Sequence, residues 1–488
     1  MIPLASPDRL PRVMSAAVLF VLTSALAGLL ISQPNGSRVA FAAGAAVALL
    51  IASVRAPRAT LVGLLVWLVA LGLVRRLMSH GGAISGTEDP LLLVGPSTWG
   101  VLVLTALSGR ALHDRTRLTS AVLLLVALLT VSVLNPLQGG LGVGLGGLLI
   151  VVVPMGAFLI GRSFVDDRLF SRLLQVAAGL GIASALYGLF QTFVRMPSWD
   201  AAWVEAKGYA ALNVGGVIRS FASFSSASEY AGFLGISIVI WVAHARGLRW
   251  PLTAAILALL SAALWYQSSR GIVVITVAAV GLVLSARTGM SWARSVLVCV
   301  VVIALVPTVV GRVAPSSFSE NPADRLAEHQ VDGLADPFGE GSTLPFHIEL
   351  VGNGLRGAIR DPLGRGVGAV SIAADKFGGA GVSTEADPGD VAVALGMPGL
   401  LTYLAILSLG LSATYRLARR RRDTLSLAAL GILVATSLQW LDGGQYSVAF
   451  WPWLVLGWVD RATASTDEPK GPGFAGLPRR AKFGITHV

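Results

Sequence analysis

VAVALGMPGLLTYLAILSLGLSATYRLARRRR, the stretch from Val391 to Arg422, decides the fold. Its first part, Val391 to Thr414, carries no charge and as a helix is long enough to cross a hydrocarbon core of about 30 Å. It then runs into Arg416, Arg419, Arg420, Arg421 and Arg422, the pattern of a membrane helix stopped on the cytoplasmic side by basic residues. Comparable runs recur along most of the 488 residues, at 14–32, 39–54, 59–74, 91–108, 119–134, 141–161, 169–193, 229–245, 251–268, 271–286, 292–310, 391–414, 425–441 and 444–459. Composition agrees: 54% of residues are hydrophobic, 13% are charged, and the mean hydropathy is +0.73, which a water-soluble surface does not tolerate. The fold class read from this pattern is all-α, a polytopic transmembrane helical bundle of fourteen spans. Without the short runs 39–54 and 444–459 it has twelve.

The first run, Met14 to Ser32, follows Arg9 and Arg12 like the core of a signal peptide, but no A-x-A-like cleavage site precedes the next run, so it is read as a span. With a cytoplasmic N-terminus, the inside segments collect most of the Lys and Arg and the outside segments most of the Asp and Glu. That orientation divides the chain into membrane helices one to eleven (1–310), an extracytoplasmic loop (311–390), helices twelve to fourteen (391–460) and a cytoplasmic tail read as disordered (461–488). The net charge of +11 is mostly arginine and is scattered between apolar spans, where guanidinium groups meet lipid headgroups. It is not gathered on a soluble face with aromatic partners, as nucleic-acid binding requires. Cys299 is the only cysteine, which excludes an intrachain disulfide and a CxxC metal site. HExxH and GxSxG are absent. The glycines from Gly139 to Gly147 lack a Gly-Lys-Ser/Thr ending and read as helix-packing residues.

The 311–390 loop is too long for a simple connector and has internal structure. Asn321-Pro322 reads as an N-cap and first-turn proline for a short helix to about His329. From His347 to Arg360, Ile348, Val351, Leu355 and Ile359 form one apolar stripe opposite Glu349, Asn353, Arg356 and Arg360, so a second, amphipathic helix is expected there. Asp361-Pro362 ends it, and Gly364, Gly366 and Gly368 allow a tight turn. Arg356, Arg360 and Arg365 are candidate loop contacts for a substrate.

Arg219, Arg270 and Arg312 fall at the outer ends of expected spans. Arg219 and Arg270 each open a helix among small residues (Arg219-Ser220-Phe221-Ala222-Ser223-Phe224 and Ser268-Ser269-Arg270-Gly271), and helix starts with guanidinium groups suit a diphosphate. Glu385, Asp387 and Asp390 stand just before the span at 391–414, where partial desolvation would suit a carboxylate base. His347 and His329 are rival bases in the same loop.

Several of these segments together resemble the O-antigen ligase and polymerase family of polytopic glycosyltransferases. Tyr187-Gly188-Leu189-Phe190-Gln191 is similar to its YGxxQ signature, and Arg219 to Phe224 with Glu229-Tyr230-Ala231 to the stretch where a family arginine opens a helix. Ser269-Arg270-Gly271 matches its Ser-Arg-Gly helix start. Asp361 to Gly368 resembles its Pro-Leu-x-Gly-x-Gly-x-Gly turn, and Gly396-Met397-Pro398-Gly399-Leu400-Leu401 its GxPGLL. The resemblance covers about Tyr187 to Leu401. It implies transfer of a glycan from an undecaprenyl-diphosphate-type carrier to an acceptor hydroxyl of a glycan or lipid, with inversion, by a surface-polysaccharide ligase or polymerase. It further implies that Arg219 and Arg270 hold the diphosphate, with neither metal nor cofactor. The family's loop histidine, eleven residues before the GxPG glycine, falls on Glu385, so that Glu385, or Asp387 beside it, would serve as base. Predominance of Arg over Lys with much Ala, Gly and Val suggests a GC-rich bacterial genome, which makes the cytoplasmic membrane of a bacterium the expected location.

A transporter or flippase for a lipid-linked or anionic solute would also need many spans with positive charge near the surface. Span centres almost free of charge and the lack of an internal repeat favour the transferase. A relative of the shape, elongation, division and sporulation polymerases and a structural scaffold are weaker alternatives.

Overall fold

The structure, a computed structural model, describes residues 36–78, 89–108, 115–207, 213–214, 216–245, 250–315, 317–339, 342–370, 373–379, 381–382, 384, 386–441 and 444–464. The expected span 14–32 and the tail after 464 lie outside the described residues. Within them the chain is almost wholly helical, with one short ladder pairing β1 (Asn213–Val214) with β2 (Val217–Ile218). Ten stretches are long and apolar enough to cross a membrane, which makes this a multi-pass membrane protein.

These stretches begin with α1 (Gly36–Arg55), α2 (Pro57–Leu77) and α3 (Val94–Ser108, extended by a 3-10 turn from Pro90). The shorter α4 (Arg117–Ser132) follows, and then α5 (Leu141–Met155) and α6 (Ala157–Phe164), which together form one crossing. Next come α7 (Asp167–Phe193), the small α8 (Ser198–Lys207), α9 (Ala227–His244), α10 (Trp250–Gln267), α11 (Arg270–Thr288) and α12 (Trp292–Val313). Side-chain oxygens define several starts: Asp166 accepts from the Leu169 amide, Ser226 from Glu229, and Ser291 from Arg294. α9 is the most buried crossing, enclosed by α7, α10, α11 and the later helix Thr424–Ala435, whereas α12 buries only Ser295 and lies on the rim.

α12 ends on the connector to α16 (Asp387–Arg421), so this connector marks one end of the bundle. Within it, α13 (Pro322–Ala335) packs on α7, α10, α11 and α12, and α14 (Leu344–Arg360) packs on α16. Asn321 caps α13 as the sequence indicates, its Oδ1 accepting from the Asp324 amide at 2.8 Å, but the helix runs past His329 to Ala335. The apolar stripe of α14 is not its packing face: Ile348, Leu355 and Ile359 are exposed, and Gly354 and Ala358 are buried instead. The reason is proximity, because a side chain at Gly354 would collide with the backbone of Gly389 in α16.

At 35 residues α16 is about 52 Å long, more than a bilayer core requires. It breaks at Gly396 (φ 65°, ψ −152°). The glycine turn after α14 docks at that break, where the amides of Arg365, Gly366 and Met397 donate to the carbonyls of Val393, Ala394 and Pro362. Two segments singled out separately in the sequence, Asp361 to Gly368 and Gly396 to Gly399, are therefore one junction. The glycines from Gly144 to Gly147 on α5 pack against its far side, with Gly147 touching the backbone of Gly368 and Gly146 facing Phe377 of the small α15 (Ala373–Phe377).

The last expected spans are shorter than read from hydropathy. α17 (Thr424–Ala435) stops before 441 and α18 (Phe450–Ala464) starts only at Phe450, leaving a buried non-helical stretch between them. Buried non-helical backbone of this kind needs partners from the protein. Asp387 supplies them by accepting from the Trp440 and Leu441 amides at 2.5 and 3.1 Å, and Glu229 accepts from Ser447 at 2.8 Å. At the opposite end, Asp460 of α18 accepts from Arg162 Nε (2.7 Å) and the hydroxyls of Thr116 and Thr119, which ties α4, α6 and α18 together.

Candidate functional site

Among the described residues, most of the buried charge lies at the connector end. The YGxxQ residues Tyr187 and Gln191 lie one turn apart on α7 and both reach Asp200 of α8, with Tyr187 Oη at 2.5 Å and Gln191 Nε2 at 2.8 Å. Asp200 also pairs with Arg76, Nε to Oδ1 2.6 Å, and neither side chain has any exposure. Arg76 donates onward to the carbonyls of Ala222 and Phe224, and Gln191 Oε1 accepts from the amides of Phe221 and Ala222. This network holds the non-helical segment 219–226 inside the bundle, with Ala222 in a left-handed conformation (φ 47°). Gly188 completes the motif, because a side chain there would strike the ring of Tyr230. Alongside, Arg38 and Arg75 share Asp89 at 2.8 and 2.7 Å.

Segment 219–226 begins with Arg219, whose placement follows from this clamp. Its guanidinium donates to the carbonyls of Gln267 (2.9 Å) and Ser268 (3.2 Å) and to the Ser269 hydroxyl. Those carbonyls end α10, where helical partners run out, so Arg219 caps that helix; contrary to the sequence expectation it does not open one itself, because α9 begins only at Ala227. Only Ser268 and Ser269 separate α10 from α11, and the corner forces Ser268 into the left-handed region (φ 63°), an uncommon state for a residue with a side chain. Arg270 then opens α11.

Arg270 crosses to α13 and donates from Nε (3.1 Å) and Nη2 (2.6 Å) to the carbonyl of His329. Its guanidinium lies flat against Gly333, where a side chain would overlap it. The His329 ring returns the link, its Nδ1 sharing a hydrogen bond with Ser268 Oγ at 2.9 Å. Desolvation first, then the charges of Arg270 and Arg219, push the His329 imidazole down from its ordinary value to about 4. At neutral pH the corner therefore holds two guanidinium groups and a neutral imidazole, a charge pattern suited to a polyvalent anion.

On the other face of α13, Ala327 and Val331 line a mainly apolar cleft of about 440 Å³ with Trp265, Tyr266, Val309 and Val313, and Asp324 and Ser317 add polar groups to its wall. Its walls include the last turns of α10 and α12.

No protein-family profile and no curated protein sequence matches the chain. Its chemistry has therefore to be read from the residues.

Of the candidates from sequence, Arg219, Arg270 and His329 come together. Arg312 is exposed in the last turn of α12. His347, Arg356 and Arg360 belong to α14, whose packing partner is α16, and Arg365 follows in the glycine turn with Asp361 at 3.9 Å. Asp387 is buried, and besides the two amides already named its carboxylate takes the Tyr403 hydroxyl at 2.5 Å, so it braces the fold. Asp390 accepts from the Thr384 hydroxyl. Glu385 lies outside the described residues. Ser268 and Gly333 were not singled out. The spacing of His329 and Gly333, one helical turn apart, is the signal that could have found the latter.

Gly333→Ala is expected to displace the Arg270 guanidinium and to cost about 1.5–3 kcal/mol, the worth of a charge-assisted hydrogen bond. Thermal unfolding of Gly333→Ala, Arg270→Ala and the double variant checks this. A double variant no worse than Arg270→Ala is the expected result, and additive losses would show that Gly333 acts by another route.

Proposed function

We propose that this protein is a membrane glycosyltransferase that moves a glycan from a lipid diphosphate carrier to an acceptor hydroxyl, in the manner of O-antigen ligases and polymerases. The observation that supports it best is the convergence of Arg219, Arg270 and His329 on one polar corner, with an apolar cleft across α13 from it. A lipid diphosphate needs both features, cationic donors for its head and an apolar surface for its chain. Guanidinium groups stabilise the negative charge that grows on the departing diphosphate, and a base takes the proton of the attacking hydroxyl.

In this reading the connector end faces away from the cytoplasm. The arginines from Arg416 to Arg422 close the opposite end of α16, and the positive-inside rule assigns that end to the cytoplasm, together with both chain termini. The membrane is the cytoplasmic membrane of a bacterium. The partners are the lipid-linked donor and a glycan or lipid acceptor, and the residues discussed call for no metal or cofactor.

Gene deletion followed by complementation tests the assignment. With Arg219→Ala or Arg270→Ala, the surface glycan is expected to disappear and lipid-linked intermediates to accumulate while the protein level holds, a loss of about 100-fold or more per arginine. Normal glycan from both variants would sink the proposal, and an unchanged glycan profile in the deletion strain would favour transport of another solute.

A further inference from the structure

The diphosphate reading gives the histidine ring at this corner no chemical step of its own. His329 is fixed from both sides: its ring is bonded to Ser268 Oγ at 2.9 Å and its carbonyl to Arg270. Ser268 is itself only 3% exposed and held in a left-handed backbone state, so the hydroxyl that orients the ring has little freedom to turn away. We propose that His329 is the proton acceptor of this site, and that an anion lodged at Arg219 and Arg270 is what makes it basic. The inference rests on the diphosphate reading given above.

We assign the Nδ1 proton as donated to Ser268 Oγ, which leaves the Nε2 lone pair free to take a proton, the arrangement by which a second group fixes a histidine tautomer. Charged groups reach the ring from several elements. Arg270 comes from α11 and Arg219 from the segment after β2. α12 ends in Arg312, α10 and the last turn of α7 contribute no charge, and α13 itself carries Asp324, Arg325, Glu328 and Asp332. Arg270 and Arg219 are the cations that bear on the ring, and with desolvation they hold it near 4 in the empty site.

A bound diphosphate offsets those two positive charges while the burial that contributes most to the shift remains, so the imidazole moves up from about 4 without shedding the whole shift. The sign of the linkage follows. The ring of the occupied site titrates at a higher pH than that of the empty site, so binding takes up protons and the anion binds more tightly as pH falls through the interval between the two. Near neutrality the ring of the occupied site is still unprotonated but is the stronger base. As the acceptor oxygen bonds to the anomeric carbon its proton passes to Nε2, and the bond from that carbon to the diphosphate breaks with its electron pair on the leaving oxygen. Without a donor the imidazole is too weak a base to abstract that proton, which couples proton removal to the presence of the leaving group.

The full chain in nanodiscs, titrated with inorganic pyrophosphate by calorimetry at about pH 5.5 in two buffers of different ionisation enthalpy, tests this. Wild type is expected to take up more protons on binding than His329→Gln, which should still bind pyrophosphate through Arg219 and Arg270. Equal uptake by the two proteins would overturn the inference and leave the diphosphate reading standing. No pyrophosphate binding by wild type would overturn both. Should His329→Gln fail to fold, the ring is followed by NMR in the wild-type chain: a pyrophosphate-induced rise supports the proposal, and an unmoved ring refutes it.

Discussion

Arg76→Ala is expected to destabilise the protein by about 3–5 kcal/mol, the cost of leaving a buried carboxylate without its cation. Arg76 and Asp200 have no exposure at all, and Arg76 also lies 4.7 Å over the Phe221 ring while it donates to the carbonyls of Ala222 and Phe224. Removing it strands one carboxylate and two carbonyls. Arg76→Lys should recover only part of the loss, because an ammonium cannot reproduce the planar fork that serves a carboxylate and two carbonyls together. The informative comparison is Arg76→Met with Asp200→Leu, which removes both charges and should be milder than Arg76→Ala alone. Thermal unfolding in detergent measures all of these, and a loss under about 1 kcal/mol for Arg76→Ala would refute the network's importance.

Gly396→Ala should rank beside it. At φ 65° and ψ −152° the backbone occupies a region essentially reserved for glycine, which costs about 1–3 kcal/mol for any other residue. An added methyl would also meet the carbonyl of Pro362. Because the Met397 amide donates to that same carbonyl, the substitution pushes the turn off α16 rather than merely straining it. The expected outcome is a poorly folded protein, whereas Gly63→Ala, at a helical position in α2 with open space around it, should be milder. Proteolysis at the 361–368 turn reports the undocking, and equal resistance in Gly396→Ala and wild type would refute it.

These two sites show what was legible in the sequence. Hydropathy located the crossings from α1 to α12 and α16 to within a few residues, since apolar length is a local property. It misjudged 425–441 and 444–459, where the chain is apolar because protein surrounds it rather than because it crosses as one helix. The stripe on α14 misled for a related reason: close approach to α16 selects glycine and alanine, which carry no hydropathy signal. Tyr187, Gln191, Arg219, Arg270 and the glycine turn were visible as motifs. What the motifs could not say is that Tyr187 and Gln191 reach Arg76 only through Asp200, or that His329 and not His347 joins the arginines, because those links span long sequence separations.

The bracing of the 436–449 stretch by Glu229 and Asp387 has a consequence for biogenesis. Helices enter the membrane in the order of synthesis, but Asp387 finds its amide partners only when Trp440 and Leu441 emerge, and Glu229 only when Ser447 does. Each carboxylate thus lacks these amides through a period of translation, and one end of the bundle is completed last. A chain cut short after α16 would hold Arg219 and Arg270 yet lack the residues that close the end on which they stand.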